Sequence, residues 1–222
     1  MSRILIMTQG LTDPEPAKTG TGVIRYRRDE VVGVFDPAHA GKTAGEMLGV
    51  GDDLPIVGSL DAVEADTLLM GVATAGGKLP EDWKPVIAEA LRRGWEIVNG
   101  LHHFVSDIPE LQAIADEHGG KIFDVRRPPP GLTTSLDEAR NAECFRVHTV
   151  GHDCGVGKML VSLELTAALK ARGRKAKFVA TGQTGIMIEG DGVPIDAVVS
   201  DFVSGAIERE VLAARNQEFV CV

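Results

Sequence analysis

The 222-residue chain contains no apolar run approaching the roughly 20 residues that a membrane-spanning helix requires, so no such helix is expected in it. Its opening, Met1-Ser2-Arg3-Ile4-Leu5-Ile6-Met7, passes directly into a short strand pattern without a cleavable signal. Cysteine is scarce. Cys144, Cys154 and Cys221 have no C-x-x-C spacing, which excludes a zinc framework and points to reduced thiols in a cytoplasm. No metal site is expected. Positive charge is also in deficit, with 23 Lys and Arg against 32 Asp and Glu and a formal net charge of −9. An acidic surface gains nothing from meeting a phosphate polymer, so non-specific binding to nucleic acid or to an anionic membrane is disfavoured. A small anionic ligand in a local basic pocket stays compatible with this balance. Internal repeats and low-complexity segments are missing too.

With 44% hydrophobic residues and 26 glycines, the chain suits two α/β domains with many strand-to-helix turns. Residues 1–125 alternate apolar β-rich runs with helical patterns, the mark of a parallel sheet covered by helices. Strands are predicted at residues 3–8, 31–35, 67–73, 96–100 and 121–125. Trp83, Val86, Ile87, Ala90 and Leu91 recur with a period near 3.6 and predict a helix over 81–93 that Gly94 ends; residues 108–117 repeat the pattern. The tract Arg126-Arg127-Pro128-Pro129-Pro130-Gly131 can continue neither helix nor central strand, because proline lacks an N–H donor. The domain boundary is placed there, giving domains at 1–127 and 128–222. In the second, Ser135 and Glu138 fit a capping box for a short helix. Strands are expected at 144–150, 175–181 and 218–222, with helices at 157–171 and 195–214. Three strands are few for a phosphate-binding domain, which leads us to expect that domain to continue beyond Val222.

Strand 144–150 feeds Gly151-His152-Asp153-Cys154-Gly155-Val156-Gly157-Lys158-Met159, and an apolar-periodic helix follows. This is the layout of a phosphate site: successive backbone N–H groups curl around an anion, Lys158 adds a point charge, and the helix start adds partial positive charge. Two departures from G-x-x-x-x-G-K-[ST] matter. The first template glycine falls on His152, with Gly151 one place early, and Met159 replaces the hydroxyl that ligates Mg²⁺. Phosphate binding survives these departures better than Mg²⁺-dependent phosphoryl transfer. Cys154 is small enough for the loop; a thiol near a helix N-terminus is alternatively a nucleophile.

Other candidates lie where open parallel sheets bind ligands, at the carboxyl ends of strands. Thr74-Ala75-Gly76-Gly77-Lys78-Leu79-Pro80 follows the third predicted strand, and Gly76 and Gly77 are substrate-binding candidates. Asn99-Gly100-Leu101-His102-His103 follows the fourth. A histidine there suits a general base, and adjacent histidines on an extended chain point to opposite sides, so only one is expected in the site. We take His102. Thr181-Gly182-Gln183-Thr184-Gly185 falls on the same edge as the phosphate loop and offers amides and hydroxyls to a carboxylate or phosphate. Asp196 and Asp201 are predicted in the helix over 195–214. Asp201 interrupts apolar sequence, so a carboxylate on a largely buried face needs a partner. Three signals are weaker. Gly41-Lys42-Thr43 precedes a helix cut short at Gly49. Gly20-Thr21-Gly22 with Arg25 gives only G-x-G-x-x-R. Asp36 ends the second strand where a ribose-binding acid would stand, which leaves a nicotinamide-binding module open as an alternative.

Taken together with Ala180 to Gly185 and with Asp196-Ala197-Val198-Val199-Ser200-Asp201-Phe202-Val203-Ser204-Gly205-Ala206, the loop at 151–159 resembles that of a two-domain bacterial and archaeal family. The resemblance extends over essentially the whole chain, including Gly71-Val72-Ala73 and Gly100-Leu101-His102. It implies a Rossmann-like N-terminal domain followed by a P-loop domain, whose members continue past the position of Val222 into an acidic, glycine-containing segment. One branch is the D-glutamate N-acetyltransferases, which work beside a dehydrogenase in D-glutamate breakdown. The resemblance therefore implies transfer of acetyl from acetyl-CoA to the amine of D-glutamate or a similar acidic amino acid. His102 or Asp201 would serve as base, and amides at Gly182 to Gly185 would meet the oxyanion. The loop is also similar to that of dethiobiotin synthetase, which makes ATP with Mg²⁺ the alternative ligand, and Met159 departs from that enzyme's hydroxyl. A small-molecule substrate and a homo-oligomer are expected.

Overall fold

Four consecutive apolar residues, Ile4–Met7, form β1, buried at every position in the middle of a six-stranded sheet. The computed structural model describes residues 2–153 and 155–222, and the chain divides into units Met1–Arg126 and Arg127–Val222. In the first unit β1 is joined by β2 (Val31–Phe35), β3 (Ile56–Val57), β4 (Thr67–Met70), β5 (Glu96–Asn99) and β6 (Lys121–Asp124). All neighbours are parallel, in the order β3-β2-β1-β4-β5-β6. This is the Rossmann order, which reverses direction between β1 and β4. β1 and β4 are buried throughout, as strands covered on both faces must be.

The helices are α1 (Lys18–Tyr26), α2 (Ala44–Leu48), α3 (Lys84–Arg92) and α4 (Pro109–His118). The predicted strands and the helices over 81–93 and 108–117 are present, with strand ends drawn in. The segment 67–73 leaves the sheet after Met70, because Gly71-Val72-Ala73 turns to meet α1. That helix is absent from the sequence reading. Gly20 and Gly22, poor helix formers, lie inside it rather than in a loop before it. Gly20 is there for a close approach: its N–H donates to the Gly71 carbonyl at 2.7 Å. A Cβ on Gly71 would stand 2.4 Å from Ile6 Cγ2 and 3.1 Å from Gly20 Cα. The G-x-G-x-x-R pattern is therefore a packing contact and not a phosphate loop. Just before α1, Ala73 N–H donates to the Pro16 carbonyl at 3.1 Å, so the β1–α1 connection lies across the carboxyl end of β4.

The second unit holds a three-stranded parallel sheet, β7 (Phe145–Val147), β8 (Ala176–Phe178) and β9 (Phe219–Cys221), with β9 in the middle. Its helices are α5 (Lys158–Ala171), α6 (Gln183–Glu189) and α7 (Val203–Ala213). Cys144, Val179, Val211, Ala214 and Val220 form the core. Cys144 and Cys221 are buried free thiols.

Three expectations are corrected here. Ser135 and Glu138 form no capping box: Glu208 of α7 accepts from Leu136 N–H at 2.6 Å and from Ala139 N–H at 3.0 Å instead. Those bonds hold the Glu208 carboxyl below its usual range. The helix predicted over 195–214 begins only at Val203; Ile195–Ala197 and Ser200–Phe202 are separate 3₁₀ turns. The strand expected over 175–181 is only Ala176–Phe178, and Gly182 then caps α6, its carbonyl accepting from Ile186 N–H.

Candidate functional site

In the first unit, three strand ends converge on a cleft of about 400 Å³. Gly76 and Gly77 come from the turn after β4, Gly100, Leu101 and His102 from the loop after β5, and Arg126 from the residues after β6. Buried polar residues hold the middle loop. Asn99, fully buried, donates to the His103 carbonyl at 2.9 Å and to Asp124 Oδ1 at 2.7 Å, while its own oxygen accepts from Leu101 N–H. Asp124 also accepts from the amides of Val105 and Ser106 and from the Ser106 hydroxyl. The backbone between Asn99 and Ser106 is thus pinned at both ends by side chains in adjacent strands.

His102, and not His103, lines the cleft. Its imidazole is held below the ordinary histidine range, first by loss of hydration against the cleft wall and then by the positive charge of Arg126, although the residue as a whole is solvent-exposed. Arg126 is only 8% exposed, and its Nε donates to the Gly100 carbonyl at 2.7 Å. Burial pushes the guanidinium pKa down. Gly77 has φ of +64°, and a Cβ there would stand 2.5 Å from His102 Cδ2. Gly76, Gly77 and His102 stand at this edge as their loops predict, whereas no local motif marks Asn99, Asp124 or Arg126. The available signal was three polar residues at the carboxyl ends of otherwise apolar strands.

In the second unit a cleft of about 500 Å³ opens at the carboxyl edge of the sheet. Gly151, Lys158 and Met159 line it together with Thr181, Gly182 and Gly185, so the phosphate loop and the start of α6 share one cavity. Gly155 and Gly157 have φ of +69° and +97°, the left-handed backbone that turns successive amides inward. Lys158, the first residue of α5, donates from Nζ to the Asp153 carbonyl at 2.5 Å. Met159 offers no hydroxyl. Ser162, one turn on, is buried and bonded to Thr149 Oγ1 and to the Val222 carbonyl. Val150, Phe178, Ile195, Val203 and Ile207 make much of the remaining wall apolar. His152, Asp153, Gly155 and Val156 are exposed on the loop, and Gln183 and Thr184 belong to the first turn of α6. Cys154 lies outside the described residues.

Two acids depart from expectation. Asp201 is exposed on its 3₁₀ turn and is not part of the cleft wall, so the premise of a buried carboxylate fails. Asp36 is wholly buried. It accepts hydrogen bonds from the Thr12 hydroxyl, from Ala38 N–H and from His39 Nδ1. Burial raises its pKa, and these bonds outweigh that to leave it lowered. Both Asp36 oxygens thus already accept from protein donors, which counts against the nicotinamide reading. The weak Gly41-Lys42-Thr43 signal resolves into a helix cap, in which Thr43 Oγ1 accepts from Glu46 N–H and the Glu46 carboxylate accepts from Thr43 N–H. Among the described residues no three His, Cys, Asp or Glu side chains gather as a metal site, and no helix is long and apolar enough to cross a membrane.

Comparison with known proteins matches residues 37–128 to "Domain of unknown function (DUF1611_N) Rossmann-like domain" and residues 135–222 to "Domain of unknown function (DUF1611_C) P-loop domain". A protein of Tritonibacter scottomollicae named D-glutamate N-acetyltransferase is 40% identical over 194 residues, covering 86% of this chain and 55% of its own. One of the same name from Pseudoalteromonas sp is 42% identical over 144 residues, covering 65% of this chain and 43% of its own. The chain therefore spans about half the length of these curated relatives. The crystal structure of a DUF1611 family protein from Anabaena variabilis is 40% identical, with a TM-score of 0.91. It covers all of this chain and 65% of its own.

Proposed function

For a chain that belongs to the DUF1611 family, we propose an N-acetyltransferase that acts on the amine of D-glutamate or a similar acidic amino acid, with acetyl-CoA as donor. The observation that carries this reading is the phosphate loop with Met159 in place of the Mg²⁺ hydroxyl, set in a cleft with apolar walls. Such a donor set fits a diphosphate held by amides and a lysine without a metal, and the apolar wall fits a ligand with an uncharged arm. Gly151, Gly157, Lys158 and Met159 would hold the phosphates of coenzyme A, which supplies an acetyl thioester when bound. Gly182 and Gly185 line the same cleft.

The amine of an amino acid is an ammonium at neutral pH and must lose a proton before it can act as a nucleophile. His102 meets that need. Its lowered pKa keeps the imidazole neutral near pH 7, with an unprotonated nitrogen able to take the ammonium proton. Asp201 is given no role, because it is exposed and outside the cleft. The names of the two relatives agree with the reading and supply the acidic substrate class.

A thermal-shift titration with acetyl-CoA, Mg²⁺-ATP and NADH, followed by an acetylation assay on D-glutamate, tests it. A rise in melting temperature with acetyl-CoA and acetylation that His102→Ala abolishes would support the proposal. A rise with Mg²⁺-ATP alone would replace it with a kinase or ligase of the dethiobiotin synthetase type.

A further inference from the structure

We propose that the apolar half of the second unit's cleft, walled by Phe178, Ile195, Val203 and Ile207, seats the uncharged pantetheine arm of coenzyme A and thereby selects an acyl carrier over a nucleoside triphosphate. The inference rests on the proposed function and adds the residues that would hold the arm. Sheet order divides the cleft. Gly151, Lys158 and Met159 follow β7, one edge strand, whereas Phe178, Thr181 and Ile195 belong to β8 and the chain after it, at the opposite edge. With β9 between them, the two ends stand two strand spacings apart, about 10 Å. Lys158 and the start of α5 put positive charge at the first end.

The second end is apolar by construction. Gly192, with φ of +139°, brings the chain after α6 back beside β8, where a Cβ would stand 2.4 Å from the Ala180 carbonyl oxygen. Val193 N–H donates to that carbonyl at 3.0 Å and Ile195 N–H to the Thr181 carbonyl at 3.2 Å, which places Ile195 in the wall. Val203 and Ile207 lie one turn apart on α7, so both reach the same cleft, and each is half-buried. The side-chain polar group at this end is the Thr181 hydroxyl, which bonds to no described residue. A purine with its ribose carries several donors and acceptors, and burying them unpaired is costly. The pantetheine arm presents methyl and methylene groups with isolated amides, which an apolar wall holding one hydroxyl matches. The cleft, about 500 Å³, falls within the range of small-molecule sites, about 300–1,000 Å³.

Isothermal titration of the full chain, of V203N and of I195N would use coenzyme A, 3′-phosphoadenosine 5′-diphosphate and Mg²⁺-ATP in turn. The second probe is coenzyme A without its arm, so it reads the phosphate loop apart from the wall. The expected result is that the unaltered chain binds coenzyme A about tenfold tighter or more than the armless probe. Each variant should lose most of that advantage, with affinity for the armless probe unchanged. Equal affinity for the two probes, or none for coenzyme A, would overturn the assignment. So would variants that weaken both probes alike, or Mg²⁺-ATP binding that depends on Val203 and Ile195. Should V203N fail to fold by circular dichroism, I195N decides, because Ile195 lies on a 3₁₀ turn outside the core cluster. The two readings fail separately. Acetylation of D-glutamate by a protein that binds both probes equally would remove the arm seat alone. Arm-dependent affinity in a protein that never acetylates D-glutamate would leave the seat standing while the proposed activity fell.

Discussion

The imidazole of His102 titrates below the ordinary histidine value of about 6.5 because water is partly excluded from it and because Arg126 is cationic. Two consequences follow for pH. A base must be neutral to work, so the acid limb of kcat/KM should fall below that ordinary value. R126Q removes a charge that disfavours the imidazolium, so the limb should move to higher pH, as a pH–rate profile would show. For stability, the unfolded chain takes up this proton before the folded one does. The His102 contribution is therefore intact above about pH 6.5 and is lost as pH falls through the lower folded value. H102Q should flatten that part of a pH–melting curve. Gly77 offers a second check. An alanine there adopts left-handed backbone at a cost of about 1–2 kcal/mol and brings a methyl against the ring of His102. Gly77→Ala should lower the acetylation rate at least tenfold while the fold survives, read by activity beside circular dichroism.

At the scale of elements, the loop after β5 depends on one carboxylate. Asp124 accepts from Asn99, from two backbone amides and from Ser106. Asp124→Asn keeps the shape and replaces one acceptor oxygen by a donor, which then faces N–H groups. Hydrogen exchange at Val105 and Ser106 should quicken, with little change at β1; equal quickening across the sheet would instead mean general destabilisation. The same elements show what sequence made legible. Strands β1, β2, β4, β5 and β6 stood out because alternating helical patterns separate apolar runs. β3 did not, because Ile56–Val57 is too short for a period. α1 was hidden because Gly20 serves contact with Gly71, a tertiary need that overrides helix propensity. Glu208, some seventy residues from the turn it caps, could not be foreseen from local spacing.

For the whole molecule, parallel α/β architecture in both units was legible from composition and periodicity, and the phosphate loop from spacing alone. The cleft of the first unit was legible only in part. Gly76, Gly77 and His102 sit in loops whose composition marks them, whereas Arg126 was absorbed into a proline tract that looked like a boundary. One more expectation belongs at this scale. NADH in excess should leave the melting temperature of the first unit unchanged, because Thr12 already satisfies Asp36 and the β1–α1 connection crosses β4. Where a dinucleotide customarily meets an acid at the end of β2, Asp36 is already engaged by protein donors, and a cleft lies instead at the ends of β4, β5 and β6. For inhibitor discovery the expected consequence is selectivity: adenine-dinucleotide mimics that reach many dehydrogenases should find no foothold at Asp36, whose oxygens already accept from Thr12, Ala38 and His39.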